Sequence, residues 1–167
     1  LGTEVLDLTD IGGLLEKGAS VELVKMELGA EKVYTGALMT LKGDGSSFTA
    51  HIGYQGFTGQ HLDMNYVARH LGRKTKSLME SNGVLNGNDF VKGCAGSVGN
   101  EKEDVLLLGD DVVNQTIPLI LCAEEDVEGN HGASIGELDE KTLFYLMSRG
   151  FTKEAAEAMI AGARLEA

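Results

Sequence analysis

The segment from Val127 to Gly150 holds the residue best suited to chemistry, His131, within a run of small side chains. A histidine in such a position can ligate a metal, act as a general base or serve as a hydrogen-bonded structural residue. Its small neighbours leave the backbone bare, which lets another group approach closely. The pattern G-x-S-x-G from Gly132 to Gly136 is typical of a hydrolase nucleophile, but that serine needs a histidine later in the chain, and none follows. We interpret the pattern as a turn and keep His131 as the candidate.

The two cysteines, Cys94 and Cys122, are the other soft ligands that the chain offers. Their spacing relative to His131 matches no zinc motif, and two cysteines in a chain of 167 residues do not indicate a disulfide framework. Cys122 lies in an apolar run and is expected to be a small buried hydrophobe, whereas Cys94 lies among glycines and is the more accessible of the two. The acidic run 124–126 with Glu128 is interpreted as a solvated corner, with binding of a hard cation or a basic partner as the alternative.

The charge balance limits the kinds of partner. Fourteen Lys and Arg against 26 Asp and Glu give a formal net charge of −12, and no cluster of basic residues along the chain interrupts this acidity. Nucleic acid and anionic membrane surfaces are therefore excluded as expected partners. The apolar runs are too short to span a bilayer, and no signal sequence opens the chain, so we predict a cytoplasmic location.

Short segments of alternating polarity dominate the chain up to residue 137. The segment Val21 to Leu28 is typical, and its alternation predicts a strand with Val24, Met26 and Leu28 facing inward and Lys25 and Glu27 facing outward. Glycine- and asparagine-rich turns separate such segments without intervening helices. This pattern is compatible with a sandwich, a barrel or a β-solenoid, and the residues alone leave that choice open. We expect an irregular lead-in over 1–19 and a β-rich core over 20–137.

Residues 138–167 have the pattern of two helices. Asp139 is placed to cap the first helix, Gly150 to end it, and Thr152 to cap the second. The first helix carries Phe144 and Tyr145 within a run of large apolar residues, more than one small core can cover. These side chains either face a partner or pack on the end of the β-rich body.

A group of motifs in the last third of the chain resembles one protein family. These motifs are Leu106-Leu107-Leu108-Gly109-Asp110, Pro118, Asn130-His131-Gly132-Ala133-Ser134-Ile135-Gly136, Leu143-Phe144-Tyr145-Leu146 and Ser148-Arg149-Gly150. They are similar to the C-terminal region of the SufB/SufD family, which are scaffold proteins of the SUF iron–sulfur cluster assembly machinery.

The resemblance implies a fold and a set of partners. The family core is a right-handed parallel β-helix, which would occupy 20–137, followed by the short helical pair. The helices would bind a SufC-type ABC ATPase through Phe144, Tyr145 and Arg149. The β-helix would pair with a SufB-like paralogue or with a second copy, and an iron–sulfur cluster would be held transiently at that protomer interface.

The resemblance also assigns His131 to the family histidine implicated in cluster binding. Family cysteines are expected where this chain has Gly129 and Glu103. Thiolates are the usual cluster ligands, so the ligand set is incomplete and the chain is interpreted as SufD-like, an assembly partner with no catalytic activity. The alternatives are a β-helix enzyme acting on carbohydrate or acyl substrates, with His131 as base and Glu128 as its partner, and a pure interaction module.

Overall fold

In the computed structural model, the described residues are 5–86, 90–97, 100–108, 112–119 and 129–165, and among them 90–97, 116–119 and 131 are described by their backbone. The strands are β1 Leu6–Leu15, β2 Ser20–Leu28, β3 Lys32–Leu41, β4 Ser47–Gly56, β5 His61–His70, β6 Lys76–Leu85, β7 Phe90–Ser97, β8 Asn100–Leu107, β9 Val113–Leu119 and β10 Asn130–Glu137, and the helices are α1 Glu140–Ser148 and α2 Lys153–Leu165.

Successive strands alternate between two parallel sheets. The first sheet has the order β1-β3-β5-β7-β9 and the second β10-β8-β6-β4-β2, so each pair of consecutive strands makes one turn of a coil. Lys32 is in register with His61, and Ser47 with Lys76, an offset of 29 residues for this turn in both sheets. Other turns are shorter, as between Leu6 and Lys32, where the offset is 26. The chain is therefore a β-solenoid followed by two helices, which confirms the predicted fold class.

The first strand corrects the expectation of an irregular lead-in over 1–19. β1 pairs with β3 along its full length, from Leu6 opposite Lys32 to Leu15 opposite Leu41. Its alternation is hard to see in the sequence because Asp7 and the pair Gly12-Gly13 interrupt the apolar positions. The neighbouring strand supplies hydrogen bonds along the backbone, so this segment is extended despite its weak pattern.

The predicted facing of β2 is also wrong. Val24 is 67% exposed, and Met26 and Leu28 are exposed as well. The alternate positions point into the coil, where Lys25 Nζ lies 2.9 Å from Glu27 Oε1. The two opposite charges compensate each other, so this strand can turn charged residues inward and apolar residues outward.

The core lies between the two sheets, on the inward faces of the strands. Its largest fully buried side chains are Tyr54, Phe48, Leu41, Leu62 and Leu85. At the corners the turns touch through their backbones. A Cβ on Gly72 would lie 2.6 Å from the carbonyl oxygen of Gly43, so only glycine allows this close stacking.

The two helices differ in how they pack against the rest of the domain. Asp139 caps α1 by accepting hydrogen bonds from the backbone N–H groups of Lys141 and Thr142, as predicted. No side chain of α1 is buried. By contrast, α2 buries Ala156 and Ala161, and Ala161 belongs to a small core on the outer face of the second sheet. Neither described helix, at 9 and 13 residues, is long and apolar enough to cross a membrane.

Candidate functional site

Two carboxylates occupy inward positions of β8. Glu101 and Glu103 are separated by one residue, so the alternation of the strand places both on the same face. Glu103 is only 7% exposed, and its Oε1 accepts a hydrogen bond of 3.1 Å from the hydroxyl of Tyr54. This bond holds a buried charge that would otherwise be strongly unfavourable.

The Tyr54 side chain reaches Glu103 across an intervening strand. Tyr54 lies on β4 and Glu103 on β8, with β6 between them in the sheet. Gly83 of β6 stands opposite Tyr54, and a Cβ at Gly83 would overlap the Tyr54 ring. The missing side chain therefore makes room for the phenol. Burial raises the pKa of Tyr54 well above its usual value, and the negative charge of Glu103 raises it further.

Glu101 is the group in this cluster that titrates near neutral pH. Burial, and to a smaller extent the charge of Glu103, raise the pKa of Glu101 to about 7. A pair of carboxyl groups with such different surroundings can hold one proton at neutral pH and release it when a cation or a base approaches.

The structure brings the backbone of His131 beside this pair. β10 runs parallel to β8, with His131 in register with Glu101 and Ala133 with Glu103. Neighbouring strands lie about 4.8 Å apart. Asn130 Nδ2 donates to Asn100 Oδ1 at 3.0 Å, which fixes this register. β10 is also the edge strand of the second sheet, so one side of its backbone has no neighbouring strand within the described part of the chain.

Of the remaining candidate ligands, Cys94 is the one whose backbone the structure describes, and it lies away from this position. The backbone of Cys94 lies on β7 in the opposite sheet, in register with Asn65 and Ile117. Cys122 and Glu128 lie outside the described residues, as does the acidic run 124–126. Gly129, where a family cysteine was expected, is an exposed residue immediately before β10. Within the residues that the structure describes, no group of three or more His, Cys, Asp or Glu is arranged to hold a metal.

The exposed face of α1 carries all three residues expected to bind the ATPase. Phe144 is 74% exposed and Tyr145 is 55% exposed. The guanidinium carbon of Arg149 lies 5.2 Å from the centre of the Tyr145 ring, a cation–π arrangement. Met147 and Phe151 add further exposed apolar surface. Large apolar side chains grouped on a helix with no buried residue are typical of a binding surface.

A groove of about 340 Å³ separates the outer face of the second sheet from the end of α2. His51 Nδ1 lies 3.3 Å from Glu80 Oε2, and Arg164 Nη1 lies 2.8 Å from Asp104 Oδ2. The Arg164–Asp104 ion pair attaches the end of α2 to β8.

The comparison with protein families agrees with this geometry. The model described as "SUF system FeS cluster assembly, SufBD core domain" matches residues 1–164. The chain belongs to the SufBD core family. An iron–sulfur cluster assembly SufBD family protein of Mycobacterium leprae is 29% identical over 156 residues, which cover 87% of this chain and 18% of that protein.

Two SufBD relatives from Bacillus subtilis, SufD and SufB, are similar to this chain to the same degree. The iron–sulfur cluster assembly protein SufD is 28% identical over 152 residues, covering 89% of this chain and 33% of SufD. The protein SufB is 28% identical over 155 residues, covering 87% of this chain and 33% of SufB. The chain thus spans about a third of each protein and is equally similar to both.

Sequence reasoning missed the carboxylate pair as a unit. Glu103 was noted only as the residue at a family cysteine position, and Glu101 was not considered. The alternation Glu101, Glu103, Val105 along β8 carried the signal, since a strand that turns Val105 inward must also turn both acids inward.

Proposed function

We propose that this SufBD domain is a non-enzymatic scaffold module that acts in iron–sulfur cluster assembly. The observation that carries the proposal is the exposed face of α1, where Phe144, Tyr145 and Arg149 contribute to no core of the domain. The family membership, and the role in iron–sulfur cluster assembly for which its relatives SufD and SufB are named, support the same role.

The α1 face is proposed to bind a SufC-type ABC ATPase. Aromatic and arginine side chains supply much of the binding energy at protein interfaces, and the Tyr145–Arg149 stack holds both side chains in place before binding. Because α2 packs on the second sheet while α1 does not, a partner on α1 would transmit force through α2 to β8.

The end of the solenoid near β10 is proposed to meet a second protomer, either a SufB-like paralogue or another copy. An unpaired parallel edge strand can extend a sheet into a neighbouring molecule. His131 would serve there as a cluster ligand, beside the Glu101–Glu103 pair. With Gly129 and Glu103 at the family cysteine positions, thiolates would come from the other protomer, and the cluster would be held transiently. We accordingly propose a SufD-like role and a cytoplasmic location.

Calorimetry of the domain with its cognate SufC-type ATPase tests the α1 surface. We expect binding by the wild type and a loss of about tenfold or more in Phe144→Ala, since aromatic hot spots typically contribute ~2 kcal/mol. Phe57→Ala is the matched control, because Phe57 is also exposed but lies in the turn between β4 and β5. Equal affinity of all three proteins would refute the assignment of the interface to α1.

The cluster assignment is tested by anaerobic reconstitution with iron and sulfide in the presence of the partner protomer. His131→Ala should reduce the cluster absorbance per dimer, whereas His51→Ala on the outer face of β4 should not. If both variants assemble the same amount of cluster as the wild type, His131 is not a cluster ligand.

A further inference from the structure

Five cations meet at one corner of the solenoid, where odd-numbered strands turn into even-numbered ones. The segments of this corner that the structure describes in full are 16–19, 42–46 and 71–75, each taken with the first residue of the strand that follows. We call them the basic corner. It carries Lys17, Lys42, Arg73, Lys74 and Lys76 with the two acids Glu16 and Asp44, a net charge of 5 − 2 = +3 on a chain of −12. All seven side chains are exposed.

The fold brings Lys17 and Lys42 to the three cations that are already neighbours in the sequence, Arg73, Lys74 and Lys76. The 29-residue register stacks the second corner on the third, and backbone hydrogen bonds tie all three together, from Gly18 N–H to Asp44 O at 3.0 Å and from Gly45 N–H to Arg73 O at 2.8 Å. Asp44 Oδ1 also accepts the backbone N–H of Arg73 at 2.8 Å. Turns of a parallel solenoid rise about 4.8 Å each, so the cations form a ridge about 10 Å long.

Lys74 is held in a backbone conformation that lysine disfavours. Its φ is +56°, the only positive φ of a non-glycine residue among the described ones. The equivalent positions of the two preceding corners are Gly18 and Gly45, with φ of 69° and 71°. Glycine therefore satisfies the turn without strain, and the third corner instead carries a charged side chain. Strain of this kind is concentrated at functional positions.

Among the described residues, these cations have few ion-pair partners. The only ion pair that the described residues form at the basic corner joins Lys42 and Glu16 at 3.4 Å, and both side chains are more than half exposed. An exposed pair of this length is weak. The remaining four cations form no ion pair with the part of the chain that the structure describes, and their side chains are exposed.

We propose that the basic corner binds an acidic segment of a partner protein. The ridge is short, and the rest of the chain carries −12 − 3 = −15. Nucleic acid or a membrane would extend beyond the ridge over this acidic surface and be repelled, since charges act over about 8 Å at physiological salt. An extended peptide advances about 3.3 Å per residue, so a few alternate acidic side chains match the ridge. This inference is independent of the proposed function.

Fluorescence anisotropy with a labelled octaglutamate peptide at low salt tests the proposal. The triple variant Lys17→Gln/Arg73→Gln/Lys74→Gln should bind about tenfold more weakly than the wild type. The matched control Lys32→Gln/Lys102→Gln/Lys141→Gln removes the same charge from exposed positions elsewhere and should change the affinity less than about twofold.

Three results would overturn the proposal: no binding of the peptide by the wild type, equal losses in the two triple variants, or tighter binding of an octathymidylate or of phosphatidylserine vesicles than of the peptide. The last result would assign the corner to nucleic acid or to a membrane instead.

Two substitutions of Lys74 distinguish the effect of its charge on binding from the effect of its backbone conformation on stability. Lys74→Gly should weaken peptide binding while raising the Tm by roughly 2–4 °C, because glycine relieves the strained φ. Lys74→Gln should weaken binding without that rise. A lower Tm for Lys74→Gly would show that the lysine stabilises the turn, which overturns the inference that it is kept for binding.

Discussion

Replacing Gly83 by alanine tests whether the Tyr54–Glu103 contact depends on a missing side chain. The new Cβ would overlap the Tyr54 ring, so either the ring or the strand must move. Overpacking of this kind costs about 1–3 kcal/mol, and loss of the 3.1 Å hydrogen bond to a charged acceptor costs a further ~1.5–3 kcal/mol. We expect Gly83→Ala to lower the free energy of unfolding by about 3–5 kcal/mol.

Urea denaturation followed by circular dichroism measures this change, with equal slopes required for wild type and variant. Gly12→Ala in β1 is the matched control, because a Cβ there meets no atom within 4 Å. That control should be neutral or stabilising by up to ~1 kcal/mol, since alanine reduces the entropy of the unfolded chain.

A double variant identifies the cause. Tyr54→Phe alone loses the hydrogen bond, so Gly83→Ala/Tyr54→Phe should cost about 1.5–3 kcal/mol less than the sum of the single changes. Additive costs, or a Gly83→Ala effect within ~0.5 kcal/mol of the control, would refute the explanation that Gly83 makes room for Tyr54.

Three further predictions follow from buried groups. Because the pKa of Glu101 is raised in the folded state, the folded protein binds more protons than the unfolded protein between pH 4.5 and about 7. In urea titrations the wild type should therefore lose stability relative to Glu101→Gln as the pH rises through this range. A constant difference in stability between the two proteins would contradict the raised pKa. Lys25→Ala should lower the free energy of unfolding by about 3–5 kcal/mol because it leaves the buried Glu27 without its cation, whereas Val24→Ala at the adjacent outward position should change it by less than ~0.5 kcal/mol in the same assay. Ala161→Glu should place a charge in the interface of α2 with the second sheet, and hydrogen exchange should then show loss of protection in α2 with the strands still protected; unchanged α2 protection would place Ala161 outside that interface.

The strands could be predicted from the sequence, but which face of a strand is buried could not always be predicted. Apolar residues lie on both faces of β2: Val21 and Leu23 pack against the core, whereas Val24, Met26 and Leu28 face outward. The alternation correctly predicts a strand. Its inward face was assigned wrongly because the ion pair between Lys25 and Glu27 makes the polar face suitable for burial. Such a pair depends on tertiary structure, because the opposite sheet must leave space for both side chains.

The repeat formed by one turn of the solenoid could not be predicted from the sequence either. The offset between equivalent strand residues varies from 22, for Leu78 and Asn100, to 30, for Asn100 and Asn130. The side chains at equivalent positions also differ, as at Gly18, Gly45 and Lys74. The basic corner was missed as a unit because Lys17 and Lys42 lie far from Arg73, Lys74 and Lys76 in the chain. The caps at Asp139 and Thr152 were predicted correctly because capping is local. His131 was found through a motif, whereas its neighbour Glu101 required the strand register.

The strand register sets a fixed distance between one turn of the solenoid and the next. Each turn hydrogen-bonds only to the turns before and after it, and columns of equivalent residues run straight along the coil. Inserting or deleting a whole turn would change the separation of the basic corner from the helices in steps of about 4.8 Å without rotating either surface. A one-residue insertion within a strand would instead reverse the facing of the residues beyond it in that strand. Variation in length among such scaffolds is therefore expected in whole turns or in the corner loops, which lets the spacing of two partners change while each binding surface stays intact.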